Sequence, residues 1–481
     1  MGGIITIAGM PEGPFRGHGY ADDSYVDVTA AQGRWTELSG WGLWPRHAAE
    51  EIDPARQADV RDLAAAPYLA RGMGRSFGDA GLPAPGHRAL NSRRLDRVLA
   101  FNPFSGVVDA EAGVTLAALL ALALPRGFFL PVAPGTMRVT LGGALAANVH
   151  GKNHIRSGSL ERFVIEAEVV TPAGILVCSE AMRPDLFRAT LGGYGLTGFI
   201  VRAKLRLRPV DTAQVDTLRL RAPDLETLFA LFAKHGRDFE YASARLDASA
   251  RGRALGRGIL ISGNHAPAGP RGKAAELAAS PRRSLRIPFP MPGFALNRAF
   301  LSAANALSYR AARTGRSREE FERFFCPLDR IDAWNLLYGR RGAFQYHCAI
   351  PDPKGEEGVA AVLDGAARER LGVFASVLKR CGDDRASLPF CKRGYTLALD
   401  VPFRGPATLT ALDRLDELVI RYGGRVYLAK DARLSPEAFR AMYPEAPGFL
   451  EAVRRYNPEA GGGQGRRCDS RLARRLEFWR L

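Results

Sequence analysis

Two glycine-rich runs, about sixty residues apart, constrain this chain more than any other feature. The first is Ala70-Arg71-Gly72-Met73-Gly74-Arg75-Ser76-Phe77-Gly78-Asp79-Ala80. The second runs from Pro134-Gly135-Thr136 through Leu141-Gly142-Gly143-Ala144 to His150-Gly151-Lys152-Asn153-His154. A loop with few side chains lets its backbone approach a bulky ligand, and consecutive N–H groups in such turns form anion-binding nests. Each run adjoins an apolar, strand-like segment, so one extended dinucleotide held by both is the simplest reading. Neither run has the G-x-G-x-x-G opening of a Rossmann helix or the G-x-x-x-x-G-K-[ST] of a P-loop. The pattern therefore disfavours NAD in a Rossmann unit and nucleoside triphosphates.

At 481 residues the chain is long enough for two cores. Its net charge of +17 fits either an arginine-rich solvated surface or attraction to an anionic surface. Nucleic acid is disfavoured, because zinc-finger spacing, a helix-turn-helix pattern and an RNP-like aromatic strand are all missing. The six cysteines, Cys178, Cys326, Cys348, Cys381, Cys391 and Cys468, are scattered without a C-x-x-C pair. Neither a disulfide framework nor a metal site is expected, and a reduced, cytoplasmic compartment follows. No run of eighteen apolar residues predicts a spanning helix. Met1 to Met10 lacks the basic flank of a signal peptide.

The pattern along the chain is mixed α+β rather than strict βαβ alternation. Residues 1–40 read as an irregular extension of a first domain ending near 207. Helices are expected over Ala55–Ala66, Thr115–Leu124 and Asp185–Leu191. Strands are expected over Pro67–Ala70, Val107–Ala110, Phe128–Val132 and Phe199–Leu207, and a hairpin over Phe163–Cys178 turns at Pro172-Ala173-Gly174. A second domain, 208–424, reads as a sheet backed by helices. Its strands are Val215–Arg221, Tyr241–Asp247, Ala343–Ile350, Val373–Leu378 and Tyr395–Val401, with helices at Leu225–His235 and Leu409–Tyr422. The Pro-, Gly- and Arg-rich stretch 264–293, continuing basic over Arg310–Arg323, is expected to be a mobile lid or membrane-facing loop. Residues 425–481 form a C-terminal segment.

The first loop, Pro134-Gly135-Thr136, His150-Gly151-Lys152-Asn153-His154 and Gly192-Gly193-Tyr194-Gly195-Leu196-Thr197-Gly198 together resemble the FAD-binding domain of vanillyl-alcohol-oxidase-type flavoproteins. Phe344-Gln345-Tyr346, Tyr427-Leu428-Ala429-Lys430-Asp431-Ala432-Arg433 and Ala473-Arg474-Arg475-Leu476-Glu477 narrow the resemblance to the decaprenylphosphoryl-β-D-ribose 2′-oxidase family. It runs in order from about Trp41 to the C-terminus and implies that 425–481 returns to the FAD domain.

The resemblance implies FAD contacts from Arg71 through Asp79, from Gly135, Thr140, Leu141, Gly142, Gly143, Ala147, Asn148, Val149 and His150, and from Ile200 and Tyr427. The first loop holds no histidine, and Arg75 occupies the place where many relatives link FAD covalently, so non-covalent FAD is expected. Lys430 is the leading candidate for the catalytic base, since a lysine desolvated beside a flavin has a lowered pKa; a substrate-orienting role remains the alternative. His150 is the second catalytic candidate, able to titrate near neutral pH or to donate a hydrogen bond. Substrate-pocket positions implied by the resemblance are Lys152, Ser243, Phe325, Gln345, His347, Lys379, Thr396 and Lys430.

Several of these positions depart from the family pattern. Phe77 and Phe325 replace tyrosines, His347 a glutamine and Thr396 an asparagine. Ala398 replaces the cysteine that covalent nitro-aromatic inhibitors attack. The implied activity is oxidation of the 2′-hydroxyl of a polyprenylphosphoryl ribose at the inner membrane face, coupled to an NADH-dependent short-chain reductase. A soluble aldonolactone or alditol oxidase, and a non-catalytic flavin- or lipid-carrier-binding protein, stay open as alternatives.

Overall fold

A computed structural model describes residues 33–236, 238–269, 277, 285–292, 297–460 and 465–481. Three sheets organise it. In the first, Arg34–Ser39, Arg46–Ile52, Arg88–Asn91 and Tyr68–Arg71 lie side by side in that order. The second has five antiparallel strands in the order Val98–Phe101, Val107–Glu111, Phe199–Arg206, Val164–Thr171 and Gly174–Cys178. The hairpin closing it turns where expected: Gly174 has φ +122° and Thr171 Oγ1 accepts from Ala173 N at 3.1 Å. Against this sheet packs the helix Leu116–Ala123, capped by Thr115, whose hydroxyl accepts from Ala118 N.

The third sheet spans the middle of the chain. Its eight antiparallel strands run Gly315–Glu320, Gln214–Ala222, Gly258–His265, Tyr241–Leu246, Ser376–Cys381, Gly394–Pro402, Ala343–Pro351 and Arg425–Val426. Helices Leu225–His235, Gly355–Arg368 and Pro406–Arg421 cover one face. Strand alternation sorts the residues. Phe344, Tyr346, Cys348 and Ile350, with Leu397, Leu399 and Val401, enter the core under the helices. Their neighbours Gln345, His347, Ala398 and Asp400 point to the opposite face, where they line a cavity.

Beyond Val426 the chain turns back to the first sheet. Cys468 bridges Tyr68 and Ser470 bridges Pro83. Arg475 donates to both carboxylate oxygens of Asp79 (2.9 Å each), to Asp431 (2.8 Å) and to Leu434 O (2.6 Å).

The structure departs from the expectations in several places, among them the strand expected over Val373–Leu378, which forms three residues later over Ser376–Cys381. Arg34–Ser39 is a paired strand rather than an irregular extension, because it completes the edge beside Arg46–Ile52; residues 1–32 lie outside the described residues. The strand expected over Phe128–Val132 shrinks to Phe128–Phe129. Arg310–Arg323 is ordered as a helix end (Arg298–Ala311), the edge strand Gly315–Glu320 and the helix Phe321–Phe325. Its charged sequence suits an edge that must not recruit another strand. Of the stretch 264–293, residues 264–265 end the strand Gly258–His265 and Leu285–Arg286 pairs with Ile331–Asp332; 270–276, 278–284 and 293 lie outside the described residues.

Candidate active site

A cavity of about 500 Å³ lies between the two glycine-rich runs and the open face of the large sheet. Arg71–Gly78 and Pro134–Thr136 line one end, with Thr140, Gly142, Gly143, Ala147, Val149 and Ile200. His150, Lys152, Ser243, Phe325, Gln345, His347, Lys379, Tyr427 and Lys430 line the rest. Residues spread over the whole sequence thus meet in one space.

The two glycine runs touch. A Cβ on Gly72 would stand 2.3 Å from Thr140 Oγ1, which caps the helix Leu141–Ala146 by accepting from Gly143 N at 3.1 Å. A Cβ on Gly78 would stand 1.6 Å from Asp431 O. The first loop is therefore clamped between the second and the C-terminal segment. Phe77 N donates to Ala429 O and Asp79 N to Asp431 O, both at 3.2 Å. Those two N–H groups are committed within the protein, so the anion-binding stretch shortens to Gly72–Ser76. Arg71 braces the loop from inside, donating to Gly81 O (2.7 Å) and Ser39 O (2.8 Å). Gly78→Ala should cost about 1–3 kcal/mol or more through overpacking against backbone that cannot move aside. Purified variant should show a lower flavin-to-protein ratio and melting temperature, and wild-type values of both would contradict this.

Four anticipated residues fall outside the lining. The Asp79 carboxylate is turned away and bound by Arg475. Leu141 is fully buried in the core under the five-stranded sheet. Asn148 points its Oδ1 at Glu161 N (3.1 Å). Thr396 is buried further along the same sheet face, 3.6 Å from Cys381 Sγ.

Lys430 sits on a turn closed by its own N–H to Tyr427 O. Its Nζ lies 4.5 Å from the Phe77 ring centre. Burial, with some repulsion from Lys379, lowers its pKa to about 8, while Asp400 opposes the shift. Asp400 accepts from Tyr338 Oη (2.5 Å) and Gln345 Nε2 (2.7 Å). Asp400 and Tyr338 were not anticipated; a lone aspartate inside the apolar strand Tyr395–Val401 was the available signal.

His150 Nδ1 lies 3.4 Å from Lys379 Nζ. Burial, then the charges of Lys379 and its neighbours, holds the His150 pKa well below the usual value. At neutral pH it is an uncharged ring, which corrects the expectation of titration there. With Nδ1 accepting from Lys379, Nε2–H remains as its donor. His347 packs 5.1 Å from His150, and among the described residues neither of its ring nitrogens has a hydrogen-bond partner. A buried polar ring without partners facing a cavity calls for a ligand group there.

Lys152 donates to Phe324 O and lies 4.2 Å over the Phe324 ring centre. Arg219, Arg245 and Arg323 border the same part of the cavity, with Glu319 bound to Arg219 (2.6 Å). None of the three arginines was anticipated: Arg219 and Arg245 lie on the inner strands Gln214–Ala222 and Tyr241–Leu246 and Arg323 on the helix Phe321–Phe325, and only the folded sheet brings them together.

The cavity fits FAD: two apposed glycine loops leave backbone N–H groups at one end, Gly135 has open space where a Cβ would stand, and an orphaned histidine faces the other end. Residues 44–179 match an FAD binding domain. The chain is 32% identical over 424 residues to the decaprenylphosphoryl-β-D-ribose oxidase of Mycolicibacterium smegmatis, covering 85% of this chain and 89% of that protein. The chain belongs to the decaprenylphosphoryl-β-D-ribose oxidase family of FAD-binding flavoproteins. As a member it is an FAD-dependent oxidoreductase. An uncharacterized protein in the mprA 5′ region of Streptomyces coelicolor is 36% identical over 376 residues, covering 76% of this chain and all of that one. Cytokinin dehydrogenase 6 of Oryza sativa subsp. japonica is 32% identical over 243 residues, 47% of this chain and 45% of that one.

Within this family pocket, Ala398 lines the cavity and offers no thiol. The cysteine nearest in sequence, Cys391, is 1% exposed and outside the lining. Nitro-aromatic inhibitors should therefore leave no stable adduct, read by intact-protein mass spectrometry. An adduct at any cysteine would contradict this.

Proposed function

We propose that this chain oxidises the 2′-hydroxyl of a polyprenylphosphoryl-β-D-ribose to the 2′-ketone, the first half of an epimerisation to the arabinose donor. The supporting observation is Lys430, a buried amine of lowered pKa sharing one cavity with the glycine loops and a cluster of cations. When bound, FAD supplies the hydride acceptor for the carbinol carbon. The chain's residues handle the proton and the phosphate. Lys430 Nζ, as the free amine, takes the hydroxyl proton. Asp400, held by Tyr338 and Gln345, stabilises the ammonium that results. Neutral His150 donates from Nε2, and Lys379 fixes its orientation. Lys152, Arg219, Arg245 and Arg323 suit a phosphodiester, whose charge they neutralise at the cavity's end.

With no histidine in the first loop, FAD is held without a covalent link; acid precipitation should release all the flavin. Among the described residues no helix is long and apolar enough to cross a membrane. Leu285, Phe289, Phe300 and Leu307 are exposed on a segment that also carries Arg286, Arg298 and Arg310. That combination suits peripheral attachment to an anionic inner membrane face, where a lipid-linked substrate resides. A short-chain NADH-dependent reductase would complete the epimerisation. Product analysis tests this reading. Mass spectrometry should show the lipid-linked sugar lighter by two hydrogens after incubation with enzyme and an electron acceptor, and unchanged substrate would overturn it.

A further inference from the structure

The scattered cysteines gave no reason to expect a metal centre, yet the fold gathers two of them with a histidine. Cys381 ends the strand Ser376–Cys381, Cys391 lies in the loop before Gly394–Pro402, and His154 opens the short helix His154–Ser157. Their ligand atoms lie within 4.8 Å of one another, and the two sulfurs are 3.8 Å apart. All three residues are at most 1% exposed and stand outside the cavity lining.

We infer that His154, Cys381 and Cys391 form a binding site for a borderline-soft divalent cation of the zinc class, distinct from the flavin and substrate sites. Tetrahedral zinc with Zn–S bonds of about 2.3 Å separates two thiolates by about 3.8 Å, the spacing found here. The histidine is oriented as a ligand would be. Its Nε2 lies 2.9 Å from Asp384 Oδ1, so Nε2 carries the proton and Nδ1 is the ligand atom; Nδ1 accepts from Gly382 N at 3.1 Å here, a hydrogen bond that the cation would replace. A carboxylate behind a histidine fixes tautomer and ring direction at metal sites. Asp384 is itself held: Oδ1 accepts from Ser159 Oγ (2.6 Å), and Oδ2 from Cys391 N (2.7 Å) and Phe390 N (3.2 Å). The same carboxylate thus positions the histidine and one cysteine.

Charge favours the arrangement. A divalent cation with two thiolates and a neutral imidazole is a neutral unit, which burial tolerates. Binding releases two protons from the cluster to solvent, and no electrons move. The cation would join the large sheet to the segment following His150, beside the contact of Lys379 with His150.

The test is titration of reduced, chelator-treated holoenzyme with Co²⁺, watching d–d absorption to the red of the flavin bands. The expected result is tetrahedral bands saturating at about one cobalt per chain and displaced by Zn²⁺. Cys391→Ser should abolish them and Cys178→Ser, remote on the five-stranded sheet, should retain them. Asp384→Asn should weaken affinity about 10–100-fold. Flavin content reports whether each variant is folded. Should Cys391→Ser fail to fold, alkylation of wild type decides: Zn²⁺ should protect Cys381 and Cys391 selectively. Absence of saturable binding, equal binding by folded Cys391→Ser, or no zinc protection would each overturn the site.

Discussion

Lys430→Ala should lower the rate of anaerobic flavin reduction by about 10²–10⁴-fold, the usual contribution of a positioned base, while FAD stays bound. The amine is surrounded by Asp400 and Lys379 from neighbouring strands, by the Phe77 ring and by the uncharged rings of His150 and His347. Burial sets its pKa near 8, so protonated and free forms exchange within the working range. A base must be unprotonated. The wild-type rate should therefore rise with pH through a limb near 8 and level above it, and the limb should vanish in the alanine variant. Were Lys430 only an ammonium steering the phosphate, the rate would fall as pH rises through the same value. A near-normal rate in Lys430→Ala would remove the residue from the mechanism altogether.

Arg475→Met should destabilise the protein by about 3–5 kcal/mol, because it strands the Asp79 carboxylate in the interior without its partner and leaves Asp431 only the N–H groups of Arg433 and Leu434. Both carboxylates are buried, at 2% and 4% exposure. One belongs to the first glycine loop and the other follows Lys430, so a single guanidinium ties cofactor loop, catalytic turn and C-terminus together. The variant should melt earlier and lose flavin together with stability. Asp79→Asn added to it should recover part of the loss, since an amide is cheaper to bury than an unpaired charge. Wild-type melting and flavin content in Arg475→Met would show the triad to be dispensable.

The sequence disclosed most where the physics is local. Glycine clusters mark close backbone approaches, and Gly72 and Gly78 are both places where a Cβ would collide. Alternation in Phe344–Ile350 separates core residues from cavity residues, whereas Gln345 and His347 were expected in the pocket from the family resemblance and not from the alternation. Helix Leu225–His235 matched its expected bounds because its apolar stripe and Asp224 cap agree. What stayed hidden depends on distant partners. Helix Gly355–Arg368 contains glycines that weaken helix propensity, but Gly358 leaves room for Ile350 and Tyr422. Strand Gly258–His265 ends in Gly-Asn-His and is secured by pairing on both sides. Asp400 gains meaning from Tyr338 and Gln345, and Asp79 from an arginine 396 positions later. The cysteines carried no spacing signal, since Cys381 and Cys391 meet only across a strand end and a loop.

The central claim, oxidation of a lipid-linked ribose by this cavity, is tested most directly by anaerobic flavin absorbance. The purified protein would be titrated with a polyprenylphosphoryl ribose and, separately, with free alditols and aldonolactones. Bleaching by the lipid-linked sugar alone is the predicted result. Bleaching by the free sugars alone would contradict it, and would make the cations around Lys152 incidental to catalysis.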